Sequence, residues 1–276
     1  MSGLQNRDAG VQARLDELTW YHTIDVPGAT TRGWWDLRHA LPLIPFPDVR
    51  GKRCLDIGTW DGFYAYELER RGAEKVVAVD IPDLSQIDYP PEWRARADVD
   101  LSQSATQPRS AGFHLLHELL DSKVEWKGRS IYDLDPDDVG TFDVVVIGSL
   151  LLHLRDPVRA LDAVRRVTRG QLLAVESVHA PLQLLTRRRP LFELRGETMD
   201  FQWWLASDAG LRHLLDVGGF RVERTSKAFL LRPGAKAALP PRGAREVGAR
   251  LLNLALTHDP TPGGHLHRAY VAEPRF

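Results

Sequence analysis

The sequence predicts an α/β fold with a mainly parallel central sheet and helices on both faces of that sheet. From residue 53 onward, short apolar runs alternate with amphipathic stretches, which is the pattern of strand–helix–strand units. Two of the runs, KVVAVD at 75–80 and FDVVVIG at 142–148, are almost continuously apolar, as strands buried on both faces tend to be. The chain has 276 residues, which is enough to bury a full core.

The first half of the chain begins with a segment that lacks this alternation. Within it, Leu4–Leu18 could form one amphipathic helix. Arg53–Ile57 is then predicted to be the first strand of the sheet, and the glycine-bearing turn Gly58–Gly62 leads into a helix at Phe63–Arg71. Lys75–Asp80 is predicted to be the second strand.

The second half continues the alternation after a polar, proline-containing loop at 82–110. A helix is predicted to begin at Pro157, with Asp156 as its N-cap, and to end at Gly170. The other predicted elements are a helix at 110–122, a weak third strand at 124–126, a fourth strand at 142–148, a fifth at 171–178, a helix at 207–217, a long strand at 220–231 and a last strand at 268–272.

Composition and charge exclude several classes of protein. The 36 Lys and Arg residues nearly balance the 37 Asp and Glu residues, so the formal net charge of −1 gives no sign of a surface for nucleic acid or acidic membrane. Cys54 is the single cysteine, which excludes an intrachain disulfide framework and suits a reducing compartment. The N-terminus MSGLQNRDAG has no apolar core of signal-peptide length, and no run of about 18 apolar residues occurs in the sequence. We therefore expect a soluble cytoplasmic protein, and the oligomeric state stays open.

The first predicted strand runs into LDIGTWDG at 55–62, a turn at which a ligand can approach the backbone. A dinucleotide fingerprint would require glycine where the chain has Trp60 and Phe63, and the chain has no phosphate-binding Gly-x-x-x-x-Gly-Lys loop. The second strand ends in Asp80, where a carboxylate can accept both hydroxyls of a ribose. A glycine turn, an acidic strand end and the lack of a phosphate-loop motif indicate a nucleoside ligand without a pyrophosphate.

Four motifs together resemble the Rossmann-like, or class I, S-adenosylmethionine-dependent methyltransferases. They are LDIGTWDG, VVAVD, FDVVVIGSLLLHLRDP and the later GGF at 218–220, and the resemblance covers about residues 50–231. The family usually has glycine at the position of Trp60. The resemblance implies a methyltransferase domain at 51–276 that uses S-adenosyl-L-methionine and releases S-adenosyl-L-homocysteine. With it we expect an N-terminal cap or lid at 1–50 and a lid insertion at 181–205, after the fifth strand.

The same resemblance assigns residues to parts of the cofactor. Gly58 and Gly62 would line its amino-acid end, which Asp56 would orient directly or through water. Asp80 would bind the ribose hydroxyls, with Ile81 packed on the adenine. Of the remaining residues, Ser130 and Ile131 would contact the adenine edge, and Ser149 and Leu150 the methionine and its methyl. The full implied set is Asp56, Gly58, Thr59, Trp60, Gly62, Asp80, Ile81, Ser130, Ile131, Ser149 and Leu150.

Within that family, three features look most like the branch of tRNA wobble-uridine methoxy- and carboxymethyl-type enzymes and related natural-product methyltransferases. They are WYHTID at 20–25, Trp34-Trp35-Asp36, and the Leu-x-His-x-x-x-Pro spacing at 151–157. The tRNA enzymes carry a tyrosine, associated with a carboxylated cofactor, where this chain has Leu152. We therefore expect O-methylation of a small-molecule acceptor in specialised metabolism. The alternatives are a tRNA-modifying enzyme and a non-catalytic cofactor-binding protein.

Methyl transfer to a hydroxyl needs a group that removes a proton, and histidine suits that task near neutral pH. His153 lies just beyond the fourth predicted strand, and His22 lies in the N-terminal segment that could close over a substrate. Glu176, in the fifth predicted strand, is the third catalytic candidate. For both histidines, a structural role is the alternative.

Aromatic residues outside the predicted core supply candidates for the acceptor pocket. Rings can stack on a flat or apolar acceptor, and on that ground we assign Trp20, Tyr21, Trp35 and Trp203 to substrate binding. The alternative is that such rings attach the cap and the insertion to the sheet, which is our interpretation for Trp34.

Two pairs of histidines could each supply two ligands to a metal ion. They are His114 with His117, and His265 with His267. Neither pair has a third ligand at a diagnostic spacing, so no metal site is predicted.

Overall fold

The structure is a computed structural model that describes residues 2–91, 108–185, 188–195, 202–237 and 243–276. Parts of the predicted loop at 82–110 and of the predicted insertion at 181–205 lie outside these residues. The strands are β1 (Trp20–His22), β2 (Asp25–Val26), β3 (Ala29–Thr30), β4 (Gly33–Asp36), β5 (Arg53–Ile57), β6 (Lys75–Asp80), β7 (Glu125–Gly128), β8 (Phe142–Gly148), β9 (Thr168–Ser177), β10 (Phe192–Leu194), β11 (Trp204–Ala206), β12 (Phe220–Thr225), β13 (Phe229–Pro233) and β14 (His265–Pro274). The helices are α1 (Ser2–Asp16), α2 (Phe63–Arg70), α3 (Ala111–Leu119), α4 (Pro136–Val139), α5 (Pro157–Val167), α6 (Ala180–Leu185), α7 (Asp208–Val217) and α8 (Ala244–Thr257).

The main sheet confirms the predicted α/β class. Its strand order is β1-β4-β13-β14-β9-β8-β5-β6-β7, and β12 also pairs with β14. The strands from β9 to β7 run parallel to their neighbours. At the other side, β14 is antiparallel to β9, and both β12 and β13 are antiparallel to β14.

Helices cover both faces of the parallel strands, which explains why the central strands β6 and β8 are almost continuously apolar. In β8, Val145 lies in one core cluster with Leu161 of α5, and Val146 lies in the other with Leu68 of α2. Both valines are fully buried. Burial of alternate side chains on opposite faces requires an apolar residue at nearly every position.

The direction in which successive strands are added to the sheet reverses between β5 and β8. The chain runs from β5 to β6 and β7 on one side, whereas β8 leads to β9 on the other. In such sheets the crevice beyond the carboxyl ends of the strands, at the point where the order reverses, is the place where ligands bind. The residues after Ile57 and Gly148 therefore border the candidate site.

The predicted boundary between α5 and β9 is wrong by several residues. The helix ends at Val167, and β9 begins at Thr168 rather than at 171. Gly170 lies within the strand, where a Cβ would lie 2.2 Å from the carbonyl oxygen of Asp143. The glycine thus reflects a close approach of β8 and β9 at a register shift, not a helix end.

The predicted strand at 220–231 is also wrong as a single element, because it divides into β12 and β13. At the interruption, the Ser226 amide donates to the Ala269 carbonyl (2.9 Å), and the Ala269 amide donates to Ser226 Oγ (2.9 Å). A side chain replaces one ladder partner there, as it does in a bulge. The partner strand β14 is longer than the predicted 268–272, since it pairs with both halves.

The N-terminal segment continues the sheet rather than lying apart from it. Trp35 of β4 pairs with Pro233 of β13, and β1 pairs with β4. The proline at that register position fits a site next to the sheet edge. As a result, β1 and the turn after it lie at the same end of the sheet as the glycine turn after β5. Hydrogen bonds hold β1 to that glycine turn.

Candidate active site

The turn between β5 and α2 needs glycine at two positions. Gly58 and Gly62 have φ values of 73° and 91°, in the left-handed region. A Cβ at Gly58 would lie 2.9 Å from a methyl carbon of Leu150, in the turn after β8. Trp60 also has a positive φ, 49°, although it is not glycine. The two turns that border the crevice therefore touch each other through these residues.

Asp56 stabilises this turn through hydrogen bonds. Its Oδ2 accepts hydrogen bonds from Thr59 Oγ1 (2.7 Å) and from the Ala65 amide (3.1 Å), and the residue is 1% exposed. Burial raises the pKa of the Asp56 carboxyl to about 7. The structure thus shows Asp56 and Thr59 bracing the loop, and contact of Asp56 with the cofactor stays a proposal.

Asp80, at the end of β6, accepts from three groups. Its Oδ2 accepts from the Trp60 amide (2.7 Å), and its Oδ1 accepts from the Ile81 amide (2.7 Å). The guanidinium of Arg109 donates through Nε to Oδ1 (3.0 Å) and approaches Oδ2 through Nη2 (3.5 Å). The bond to Asp80 holds Trp60 in its strained conformation.

Arg109 is a site residue that the sequence did not reveal. Its guanidinium lies 4.0 Å from the centroid of the Trp60 ring, and its side chain is 10% exposed. The Nη1 atom is buried, and the described residues offer it no hydrogen-bond partner. An isolated arginine in a polar loop gives no signal in a sequence, and only the pairing with Asp80 reveals it.

Asp61 joins the N-terminal segment to the glycine turn. Its Oδ2 accepts from the backbone amides of Tyr21 (2.9 Å) and His22 (2.7 Å), while its Oδ1 accepts from His22 Nδ1 (2.5 Å). The imidazole also stacks on Phe63, with 5.0 Å between ring centroids. Asp61 lies within the LDIGTWDG motif, but its role depends on a segment 39 residues away and was not predicted.

The turn after β8 contains Ser149 and Leu150 and is held by Glu176. Ser149 has a φ of 48°, and its amide donates to the Val175 carbonyl (2.8 Å). Glu176 Oε1 accepts from the amides of Leu150 (3.1 Å) and Leu151 (3.2 Å). Burial raises the pKa of the Glu176 carboxyl to about 8. Within the described residues, this 1% exposed carboxyl group accepts its hydrogen bonds from the backbone of the turn, so it supports the turn, and its catalytic role stays a prediction.

His153 lies in the short 3₁₀ helix Leu151–His153 and is half-buried. Its amide donates to the Leu150 carbonyl (2.9 Å). It is therefore placed on the ligand side of β8, as predicted, and its catalytic role stays a prediction.

His267 of β14, to which the sequence assigned no part in this site, contacts the same turn. Its Nε2 lies 3.0 Å from Ser149 Oγ, and its Nδ1 lies 2.9 Å from the His265 carbonyl oxygen. The sequence brought His265 and His267 to notice only as a metal pair. The contact with Ser149 exists because β14 inserts beside β9, which local patterns do not show.

The expected adenine side contains Ile81, Ser130 and Ile131. Ile81 is half-buried and Ile131 is 6% exposed. Ser130 Oγ accepts from the Tyr132 amide (3.3 Å) and caps a short 3₁₀ helix, so its oxygen already has one partner. Nearby, Asp88 Oδ2 accepts from the Tyr132 hydroxyl (2.5 Å) and joins this loop to the loop after β6.

The four aromatic residues assigned to the acceptor pocket divide into different roles. Trp20 is 1% exposed and its Nε1 donates to the Leu15 carbonyl (2.7 Å), so its assignment to substrate binding is wrong. Trp203 donates through Nε1 to the Asp88 carbonyl (2.5 Å) and through its amide to the Leu152 carbonyl (2.8 Å). It thereby attaches the insertion to the loops that follow β6 and β8.

Tyr21 and Trp35 remain half-buried beside the crevice. The Tyr21 ring lies 5.0 Å from the Trp60 ring, and the Trp35 ring lies edge-on to His265 at 4.8 Å. Trp34, assigned to attachment, packs edge-on against Tyr21 and is 38% exposed. These rings continue the site from the glycine turn toward the end of β14.

The described parts of the chain contain no group of three or more His, Cys, Asp and Glu residues that could hold a metal ion. None of the helices described is both long and apolar enough to cross a bilayer.

Comparison with known proteins shows the family. Residues 32–223 match the family described as a methyltransferase domain, so the chain belongs to this family. The tRNA U34 carboxymethyltransferase of Dichelobacter nodosus is 28% identical over 184 residues, which cover 65% of this chain and 49% of that protein. The ubiquinone biosynthesis O-methyltransferase of Xylella fastidiosa is 25% identical over 228 residues, covering 72% of this chain and 81% of that protein. The chain thus spans about half the length of the tRNA relative that it matches.

A solved structure of similar fold is the 1,6-didemethyltoxoflavin-N1-methyltransferase of Burkholderia thailandensis with bound S-adenosylhomocysteine. It is 15% identical, covers 82% of this chain and 72% of its own, and has a TM-score of 0.46. Together with the strand order and the four motifs, the family match confirms the predicted class. By fold and family the chain contains a Rossmann-like methyltransferase domain, and the cofactor of this family is S-adenosylmethionine.

The residues of the crevice fit this cofactor. The glycine turn leaves no room for a Cβ at Gly58, and Asp80 offers a carboxylate at the end of β6. Among the described residues, the buried hydroxyl of Tyr64 has no hydrogen-bond partner, so a polar group remains to be satisfied. When bound, the cofactor supplies a methyl group activated on a sulfonium.

Proposed function

We propose that the protein is a methyltransferase that transfers a methyl group from S-adenosylmethionine to an oxygen of a small molecule. One observation carries the choice of oxygen, namely the pairing of His22 with Asp61 beside the glycine turn. An acceptor hydroxyl must lose a proton during transfer, and an oriented imidazole can take it.

The geometry of the pair supports the role of His22 as the base. An ionised carboxylate can only accept hydrogen bonds, so the Nδ1 of His22 carries the hydrogen that lies between it and Asp61. The tautomer with its hydrogen on Nδ1 presents the lone pair of Nε2, for which the described residues provide no hydrogen-bond partner. Asp61 also fixes the backbone of His22, so the ring is held from two directions. His153 remains a second candidate for the same task.

The N-terminal segment 1–50 supplies the wall of the proposed acceptor pocket. Its Tyr21 and Trp35 lie at the crevice, and its attachment to Asp61 links cap and cofactor turn. A wall of rings suits a flat or apolar acceptor and excludes water from the transfer. The proposal includes a role in specialised metabolism, in which flat or apolar acceptors with hydroxyl groups are abundant.

A tRNA acceptor is the second candidate, because a matched relative is named a tRNA U34 carboxymethyltransferase. The formal net charge of −1 and Leu152, at the position of the tyrosine expected in the tRNA branch, favour a small acceptor.

The test uses S-adenosylmethionine with an isotope-labelled methyl group. The protein is incubated with a panel of phenols, catechols and aliphatic alcohols and, separately, with unmodified tRNA. We expect label on a small hydroxylated compound at a rate that changes little between roughly 50 and 200 mM salt. Labelling of tRNA alone, falling steeply with salt, would establish the second candidate. Binding of S-adenosylhomocysteine without any transfer would support a non-catalytic protein.

A further inference from the structure

Ser149 occupies a strained position in the turn that borders the proposed donor subsite. Its φ of 48° lies in the left-handed region, which a residue other than glycine rarely adopts. Its amide is fixed to the Val175 carbonyl, and Leu150, the next residue, contacts the glycine turn at Gly58. The side chain of Ser149 is thus held at a defined place next to that turn.

The partners of His267 determine which way the Ser149 hydroxyl points. The carbonyl oxygen of His265 can only accept a hydrogen bond, so the Nδ1 of His267 carries the hydrogen between them. Burial lowers the pKa of His267 to about 4, so the ring is neutral at pH 7 and its Nε2 has a lone pair. The Ser149 hydroxyl is therefore the donor in the 3.0 Å contact with Nε2.

This direction has a consequence for the other side of Ser149. Once the hydroxyl hydrogen points to His267, the lone pairs of the oxygen face away from the imidazole. Ser149 is half-buried, whereas His267 is 2% exposed, so Ser149 is the more accessible residue of the pair. The serine oxygen is a hydrogen-bond acceptor and cannot also donate.

We infer that His267 is a positioning residue of the donor subsite, which fixes the Ser149 oxygen as an acceptor for a polarised C–H or N–H group of a cationic ligand. The inference rests on the proposed function, because it places the sulfonium end of the cofactor next to this turn. A sulfonium methyl has polarised C–H bonds, and the thioether product has neither the methyl nor the charge. The pair would therefore favour the substrate form of the cofactor over the product form.

The probes are S-adenosylmethionine, S-adenosylhomocysteine and sinefungin, which carries an ammonium-bearing carbon in place of the methylated sulfur. Affinities are measured by calorimetry, so no acceptor is needed. The variants are His267→Leu, which removes the acceptor of the Ser149 hydrogen, His267→Gln, whose amide oxygen can still accept it, and Ser149→Ala. The readout is each ligand's affinity relative to that of S-adenosylhomocysteine in the same protein.

We expect His267→Leu and Ser149→Ala to lower the relative affinity for S-adenosylmethionine by about two- to fivefold, and that for sinefungin by about tenfold. His267→Gln should restore most of the preference, and the double variant Ser149→Ala/His267→Leu should match Ser149→Ala alone. Unchanged ratios in Ser149→Ala, or additive losses in the double variant, would overturn the inference. Because His267→Gln keeps a polar side chain, the comparison stands even if the leucine variant does not fold. A wild-type protein that binds none of the three ligands would instead reject the proposed function.

Discussion

The guanidinium of Arg109 lies against the carboxylate of Asp80, with 3.0 Å between Nε and Oδ1. The same carboxylate accepts from the amides of Trp60 and Ile81. A carboxylate has about four lone-pair directions, and the ribose of the cofactor would bring two more donors to the three already present. Asp80 cannot accept hydrogen bonds from both ribose hydroxyls unless Arg109 releases its own hydrogen bond to the carboxylate. In the structure, Arg109 therefore competes for the proposed ribose site.

The first prediction concerns this competition. Arg109→Ala should raise the affinity for S-adenosylhomocysteine by about tenfold, because a carboxylate oxygen of Asp80 becomes free to accept a hydrogen bond from the ribose. The ligand-free variant should at the same time lose about 3–5 kcal/mol of unfolding free energy, because the buried carboxylate loses its cation. Calorimetry and urea unfolding measure the two effects. The control is Arg169→Ala, which breaks the exposed pair with Asp143 and should leave the affinity unchanged. A weaker affinity in Arg109→Ala would show instead that the arginine contacts the ligand.

A second prediction tests the ribose site itself. Asp80→Asn keeps one oxygen acceptor but removes the charge, so the dissociation constant for S-adenosylhomocysteine should rise about 10- to 100-fold. Calorimetry at constant pH measures it. Asp143→Asn, at the opposite end of the parallel strands, is the matched control and should bind as the wild type does. Equal affinities of wild type and Asp80→Asn would mean that the ribose lies elsewhere.

The third prediction separates the chemistry of His22 from its structural bond. In His22→Asn, the amide nitrogen can still donate to Asp61, but no group replaces the imidazole Nε2. We expect kcat for a hydroxyl acceptor to fall by about 100- to 10,000-fold, with the affinity for S-adenosylhomocysteine within about threefold of wild type. Single-turnover assays with the acceptor found in the panel measure the loss. His213→Asn, on the exposed face of α7, controls for a general effect of the substitution. Near-normal turnover would transfer the role of base to His153.

The part of the site that lies within one motif could be predicted from the sequence, whereas the part that depends on strand order could not. Gly58, Gly62 and Asp80 lie directly after predicted strands, and their backbone needs and charge are local properties. Arg109 reaches Asp80 from 29 residues away, and His267 reaches Ser149 from 118 residues away. These contacts depend on the loop after β6 and on the insertion of β14 beside β9.

The same reason explains the corrected assignments. Trp20 is a residue type common in pocket walls, but in the structure α1 and α3 cover it. Its indole donates to the Leu15 carbonyl, and its ring lies 3.0 Å from the position of a Cβ at Gly112. Gly170 follows a predicted helix, as a helix-ending glycine does. In the structure, glycine is required there because the strand passes close to Asp143 of the neighbouring strand. In both cases the local pattern is compatible with two structures, and a distant contact decides between them.

The last prediction concerns Glu176 and the dependence of stability on pH. Burial raises the pKa of its carboxyl to about 8, above the ordinary value of 4.5. Between these values the folded protein holds a proton that the unfolded chain has released, so the unfolding free energy falls as the pH rises, by about 1.4 kcal/mol per pH unit. The contribution is fully present near pH 4.5 and is lost by about pH 8.

Glu176→Gln should remove this slope, because the amide does not ionise in that range and its oxygen can still accept from the Leu150 and Leu151 amides. Urea unfolding at a series of pH values from about 5 to 8 measures the difference. Asp56, whose pKa is raised to about 7, gives a slope of the same sign in both proteins below that pH, so the interval above it belongs mainly to Glu176. Glu125→Gln, at a half-exposed side chain paired with Lys75, is the control and should keep the wild-type slope. If wild type and Glu176→Gln lost stability in parallel up to pH 8, Glu176 would be ionised in the folded protein throughout, and the support of the Leu150 turn would come from a charged carboxylate.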